Sequence, residues 1–362
     1  MLFLMAAVAA GAAYYFWPEI EKRIELPQWA LRRETNAPSV QVVPRTNPPA
    51  PSAVRTNPVP PVVKPPEVAP KPEEPRQFRN VRNTLDAQIA LARVGISVGP
   101  IDGAHGYNMR RALLAWQIHN GLPVSGELDE DSKAALKVEE PLFVDYEVTP
   151  RDVKRLMKVP STWLGKSEAD RLDYETMLEY LAELGRASPD FVKRLNPKVD
   201  WATVGAGTVV KIPRIDLPPV REKAAFARVH LYSKTLDVFG QQTNLLAHFP
   251  CSIAAKVEKR PVGQLAVAKV AANPTYWFDP EVFSESAEAR KINRKLVIPP
   301  GPNNPVGTAW IGLDKPGYGI HGTPKPEQVG RTESHGCFRL ANWNAEHLLQ
   351  LVWVGMPVFV EP

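Results

Sequence analysis

Apolar positions between residues 79 and 138 recur at helical spacing. Leu85, Ile89 and Leu91 fall on helical spacing in a first helix, which the run Arg93-Val-Gly-Ile ends at its glycine. A second apolar helix passes through Ala112, Leu113 and Trp116, and a third begins near Asp129 as its N-cap. Trp116 shares its face with Ala112 and Leu113, which predicts a core position rather than an exposed platform. Further on, Tyr146-Glu-Val-Thr-Pro-Arg-Asp reads as a strand followed by a helix start. Residues 174–184 read as an amphipathic helix, and Ser188-Pro-Asp opens another that ends in Leu195-Asn-Pro197. Val204-Gly-Ala-Gly-Thr-Val-Val-Lys-Ile-Pro213 closes that region with a strand. Beyond Leu217-Pro-Pro-Val220 short strand-like runs take over, at 226–231, 236–239, 265–271 and 309–313. Asn342 is expected to cap a late helix carrying Leu348, Leu349 and Val352 that stops at Gly355, and 357–360 forms a last strand.

Two N-terminal stretches lack any such pattern. Residues 1–17 carry no charged side chain and end in Tyr14, Tyr15 and Trp17, residues suited to a membrane interface. The run is short for a spanning helix and long for a signal-peptide core, so it is read as an uncleaved anchor in the inner membrane, with cleavage near Ala10-Gly-Ala12 as the alternative. Lys22, Arg23, Arg32 and Arg33 follow the apolar run. Their charge opposes export of the rest of the chain, but the chemistry below outweighs it. Residues 18–77 form a linker, dominated by proline from about 37 and repeating Arg-Thr-Asn-Pro at 45–48 and 55–58. At about 3.1 Å per residue its forty proline-rich residues would span roughly 120 Å.

A chain of 362 residues holds two or three domains, and its net charge of +5 is mild. No Lys/Arg run with interleaved aromatics occurs, so nucleic acid is not expected as a partner. Cys251 and Cys337 are the only cysteines. They could pair as one disulfide in an exported protein. Cys251, between Ala-His-Phe-Pro250 and Ser-Ile-Ala, reads instead as an inert buried strand residue.

Cys337 lies two residues after His335 and sixteen after His321, with Gly319, Gly322 and Gly336 flanking the imidazoles. A thiol attacks as thiolate, and a free pKa of about 8.5 leaves little thiolate at neutral pH. A neighbouring histidine can take the proton and hand it to a leaving amine. Glycines let backbone approach a substrate and turn N–H groups toward it. The same His321, His335 and Cys337 set suits zinc, though no carboxylate is arranged as a base for it. Neither a metal nor any other cofactor is expected.

The run Ile320-His-Gly-Thr-Pro through Ser334-His-Gly-Cys-Phe-Arg-Leu-Ala-Asn342 resembles the signature of the L,D-transpeptidases, which cross-link peptidoglycan through a cysteine. Asn273-Pro-Thr-Tyr-Trp277, Pro300-Gly-Pro-Asn-Asn-Pro-Val-Gly307 and Trp310-Ile-Gly-Leu-Asp314 fit the same family, so the resemblance spans about 224–362. It implies a catalytic domain at 222–362 built as a mostly β, mixed-sheet β-sandwich. Cys337 would be the nucleophile and His321 the base, oriented by the Gly322 carbonyl, with His335 auxiliary. The N–H groups of Gly336 and Cys337 would form the oxyanion hole. Arg339 would bind a substrate carboxylate or tie the loop from behind. Ser334 would hydrogen-bond locally or touch substrate, and Tyr318 and Trp310 would line the cleft or pack.

The implied reaction is attack on a peptidoglycan tetrapeptide stem, release of D-Ala, and resolution of the thioester. A second stem would give a 3→3 cross-link, a lipoprotein lysine a wall-anchored protein, and water an L,D-carboxypeptidase. A non-catalytic wall-binding protein is the rival reading. Residues 78–140, with Asp-Gly103, Trp116-Gln117 and Gly121-Leu-Pro-Val-Ser-Gly126, resemble the three-helix peptidoglycan-binding domain. Residues 144–215 are similar to a lysin motif, a small α+β glycan-binding module, with an insertion near 163–171. The chain is thus read as a multidomain enzyme of the periplasm or cell envelope.

Overall fold

The computed structural model describes residues 77–283, 286–331 and 336–362. The expected anchor at 1–17 and nearly all of the linker lie outside them. Among the described residues no helix is long and apolar enough to cross a membrane.

The first region opens with strand β1 (Gln77–Asn80), followed by α1 (Thr84–Arg93), α2 (Tyr107–His119) and α3 (Glu130–Ala135), and closes with β2 (Lys137–Glu140), antiparallel to β1. The Asn83 side chain caps α1 by accepting from the Asp86 N–H, and Asp129 caps α3 by accepting from Ser132. Trp116 is buried with Ala112 and Leu113 in the core. Gln117 is fully buried, and its role is local. Its Oε1 accepts from the N–H groups of Ser125 (3.0 Å) and Gly126 (2.8 Å), and its Nε2 donates to the Glu127 carbonyl and the Ser132 hydroxyl. The amide thereby fastens the Gly121–Gly126 turn, where Gly126 has φ +69° and a Cβ would strike Arg110 and Leu114. Gln88 does the same for the Asp102-Gly103 loop.

The middle region pairs β3 (Phe143–Glu147) antiparallel with β4 (Val209–Pro213). Between them lie two short helices, α4 (Pro150–Arg155) and α5 (Trp163–Glu168), and then α6 (Met177–Leu184) and α7 (Pro189–Leu195). The Leu-Asn-Pro turn has a physical job: Asn196 donates to the Val192 and Lys211 carbonyls and accepts from the Lys211 N–H, tying the end of α7 to β4. Leu181, Val192, Val210 and Ile212 from this region share one core with Ile89, Leu113 and Val138 from the first. Arg93 crosses between them, donating to the carbonyls of Glu139, Pro141 and Arg214.

The last region is one hydrogen-bonded mixed sheet. Its strands are β5 (Phe226–His230), β6 (Thr235–Phe239), β7 (Leu245–Pro250), β8 (Gly263–Ala272), a separate hairpin of β9 (Tyr276–Phe278) and β10 (Leu296–Ile298), then β11 (Ala309–Leu313), β12 (Gly319–His321), β13 (Phe338–Arg339) and β14 (Pro357–Glu361). The sheet order is β13-β12-β11-β8-β14-β5-β6-β7. Ten-residue β8 is shared: its first half pairs with β14 and its second with β11. A strand with different neighbours along its length curls the sheet on itself, enclosing Val229, Val238, Phe249, Ile311 and Phe338.

Helix α8 (Asn342–Leu351) packs against β11 and contributes Leu348 and Leu351 to that core. One expectation fails here. Ala341, not Asn342, stands at the N-cap, and no side chain caps the helix. Asn342 is instead fully buried and reaches away from its own helix. The helix also ends at Leu351, and Gly355 turns the chain four residues later with φ +100°.

Candidate active site

Strand pairing builds the site. His321 ends β12, where it sits opposite Trp310 of β11 on one side and Arg339 of β13 on the other. The Trp310 ring stacks on the imidazole, with centroids 5.6 Å apart and planes 20° from parallel. Close stacking here needs Gly319, since a Cβ at that position would enter the indole. His321 is 5% exposed, and its Nδ1 lies 2.6 Å from the Gly322 carbonyl oxygen. A carbonyl only accepts, so Nδ1 carries the proton and Nε2 keeps the lone pair. Burial, reinforced by the Arg339 charge, lowers the imidazole pKa to about 4, so the ring is neutral at pH 7.

Cys337 sits just before β13, beside Gly319 in the parallel β12–β13 ladder. Its half-buried thiol lies 3.6 Å from the Gly317 carbonyl. Burial raises its pKa above the ordinary thiol value, against the pull of the Gly319 N–H and the Arg339 guanidinium. Arg339 is itself lowered by burial and partly restored by Cys337. Cys337, His321 and Arg339 therefore lie within one electrostatic neighbourhood. At neutral pH the thiol and the imidazole are both uncharged, one raised and the other lowered by burial.

Tyr318 is half-buried, and its ring would meet a Cβ on Gly336 at 3.9 Å, an ordinary contact. Ser334 and His335 lie outside the described residues. Cys251 is fully buried at the end of β7, and both cysteines are free, so no disulfide joins them. Burial alone pushes the Cys251 thiol far up, leaving it without thiolate character. Among the described residues no group of three or more His, Cys, Asp or Glu side chains is placed to hold a metal ion.

Three groups at the site escaped the reading of residue types. Tyr276 of β9 has its pKa raised to about 12, first by burial and then by the charge of Cys337. Asn342 is the second: its Oδ1 accepts from the Thr308 N–H (3.3 Å), and its Nδ2 donates to the Pro302 carbonyl (3.2 Å). The third is a piece of the middle region. Trp163 of α5 stacks on Phe278 at 4.2 Å, and Leu172 joins Phe278, Leu296 and Ile298 in a small core of its own. Leu172 also exchanges backbone hydrogen bonds with Pro300 and Asn303. The stretch 163–171, an interruption in sequence terms, thus braces the β9–β10 hairpin that carries Tyr276. The only signal for this was that insertion itself.

Residues 226–360 match the family described as "L,D-transpeptidase catalytic domain", and residues 82–136 match a "Putative peptidoglycan binding domain". The C-terminal region is an L,D-transpeptidase catalytic domain. Similar curated proteins include the "Putative L,D-transpeptidase YkuD" of Bacillus licheniformis, 27% identical over 188 residues that cover 51% of this chain and 93% of the relative. The "Probable L,D-transpeptidase YbiS" of Escherichia coli K12 is 30% identical over 190 residues, 50% of this chain and 58% of its own length. The chain therefore spans little more than half of that second relative. Among solved structures, L,D-transpeptidase 3 from Mycobacterium tuberculosis with a faropenem-derived adduct aligns over 43% of this chain and 75% of its own, at 16% identity and a TM-score of 0.31. Both matches point toward the cell wall and peptidoglycan.

Proposed function

We propose that this protein is a cysteine L,D-transpeptidase acting on peptidoglycan stem peptides. Cys337 attacks the amide preceding the terminal D-Ala of a tetrapeptide stem while His321 Nε2 takes the thiol proton. The imidazolium then protonates the departing D-Ala amine, leaving a thioester on Cys337. An amine resolves it: from a second stem it makes a 3→3 cross-link, from a lipoprotein lysine a wall-anchored protein. Backbone N–H groups of Gly336 and Cys337 receive the oxyanion, His335 assists proton movement, and Ser334 and Tyr318 flank the substrate. Arg339, half-buried and with its charge acting on both Cys337 and His321, holds a substrate carboxylate. The observation that carries this reading is the His321 Nδ1 contact to the Gly322 carbonyl at the end of β12, with the half-buried Cys337 leading into the paired strand β13. A base fixed in one tautomer needs no carboxylate partner.

Residues 82–136 hold the enzyme on the wall, and the segment 1–17 with its proline linker tethers it to the membrane, raising the effective concentration of stems. Residues 144–215 share the core of the first region and brace the catalytic hairpin, which favours a structural role over independent glycan binding.

The test uses the full chain, with and without Cys337→Ala, mixed with disaccharide-tetrapeptide and followed by mass spectrometry. Cysteine-dependent loss of D-Ala with dimer formation is the expected result. Loss without dimer would mark an L,D-carboxypeptidase or a missing lipoprotein acceptor. Turnover that survives Cys337→Ala would overturn the mechanism, and its absence from both proteins would leave a wall-binding protein.

A further inference from the structure

The Asn342 carboxamide is gripped from a direction that the catalytic fold does not supply. Its Nδ2 lies 3.2 and 3.3 Å from the two carboxyl oxygens of Glu183, at the end of α6 in the middle region. Glu183 is held in turn by the Tyr174 hydroxyl, which donates to Oε1 at 3.1 Å. On its other side Asn342 Oδ1 lies against the Cα atoms of two glycines, Gly307 and Gly322, where a Cβ on either would collide with it. Gly322 is the residue whose carbonyl holds His321 Nδ1, and its N–H is fixed to the Ala309 carbonyl at 3.1 Å.

We propose that Glu183 is a positioning residue for the catalytic base: through Asn342 it presses the 307–308 and 322 backbone into the geometry in which the Gly322 carbonyl holds the imidazole. The proposal rests on His321 acting as the base for Cys337. It makes residues 174–183 part of the catalytic machinery, although they lie outside the matched stretch 226–360. Helix α6 and the chain just before it are well placed for this, because both are fastened to Asn303 of the loop before β11. Asn303 Nδ2 donates to Glu179 Oε1 at 2.6 Å, one turn before Glu183, and to the Asp173 carbonyl at 3.1 Å. Oε1 of Glu183 accepts from Tyr174 and Asn342 whether or not the carboxyl is ionised, so a glutamine can take its place.

The experiment compares wild type, Glu183→Ala, Glu183→Gln, Asn342→Ala and the double alanine variant as full chains. Active sites are first counted by stoichiometric alkylation of Cys337, with Cys337→Ala as blank. Release of D-Ala is then measured per active site. Misplacing a base by a fraction of an ångström lowers kcat, and we expect about tenfold for Glu183→Ala with KM within about twofold. Glu183→Gln should stay within about threefold of wild type. The double variant should be no slower than Asn342→Ala, because both act through one chain of contacts. If Glu183→Ala does not fold, Glu183→Met keeps the length of the side chain while removing both acceptors that face Asn342 Nδ2, and the same fall in kcat is expected. A Glu183→Ala enzyme with unaltered kcat per active site, beside an inactive Cys337→Ala, would overturn the proposal and leave the cysteine mechanism standing. Turnover independent of Cys337 would remove the mechanism, and this inference with it.

Discussion

Two fully buried amides, Gln117 in the helical region and Asn342 in the catalytic region, make opposite use of the same chemistry. Gln117 takes all its partners from within 15 residues of itself, on one turn that it closes. Asn342 takes its partners from Thr308, Pro302 and Glu183, up to 159 residues away, and lies against the glycine that orients His321. A buried amide with local partners secures its own loop. One with distant partners registers separate segments against each other, which an active site requires and a binding turn does not.

The sharpest break in this comparison is loss of function without loss of fold. Removing the base by His321→Ala should slow D-Ala release by about 10²–10⁴-fold, the usual worth of a general base, while alkylation still finds one reactive Cys337 per chain. The pH dependence of that alkylation should be nearly as large. With a neutral thiol raised by burial beside an imidazole held near 4, thiolate is scarce at neutral pH. The rate should therefore climb with pH through a midpoint above about 8.5, and show no step near 6.5 from His321. A plateau already reached at pH 6 would instead reveal a thiolate–imidazolium pair.

Gln117→Ala should do the reverse. It strands the buried N–H groups of Ser125 and Gly126 and should cost about 3 kcal/mol of stability in the helical region, readable as a lowered first transition in urea. Turnover per active site should be unaltered.

A further effect concerns the charge of Glu183. Burial first, then Glu346 and Glu179, raises its pKa from 4.5 to about 8, against the hydrogen bonds from Asn342 and Tyr174. A carboxyl raised on folding binds its proton more tightly in the native state. Its contribution is therefore complete below about 4.5 and is lost as pH rises toward 8. Wild type should lose melting temperature over that window more steeply than Glu183→Gln, which has no proton to lose. Parallel profiles would mean that the carboxyl is not strained where it lies.

Much of the fold was legible because local rules set it. Helices at 84–93 and 107–119, the Asp129 and Ser188 caps, and the strands at 226–230, 235–239, 263–272, 309–313 and 357–361 all follow from spacing, caps and breakers. The errors were of another kind. Asn342 looked like an N-cap because asparagine before an amphipathic run usually is one, yet a carboxyl and a glycine pair from other segments compete for its amide and win. Tyr276 stood in a stretch noted only for its family resemblance and Trp163 at the start of an insertion, and neither had been given a role.

Residue order marked Cys337 as a candidate nucleophile between two imidazoles, since a thiol, histidines and glycines at short spacing are local facts, and the family resemblance chose His321 over His335 as its base. It also separated anchor, spacer and folded regions by composition. Only the folded chain decided how burial moves the thiol and imidazole, that Glu183 of the middle region reaches Asn342, and that Trp163 braces the β9–β10 hairpin. Such contacts join residues more than a hundred positions apart, and no periodicity encodes them. They exist only once the curled sheet and the packed helices bring their surfaces together.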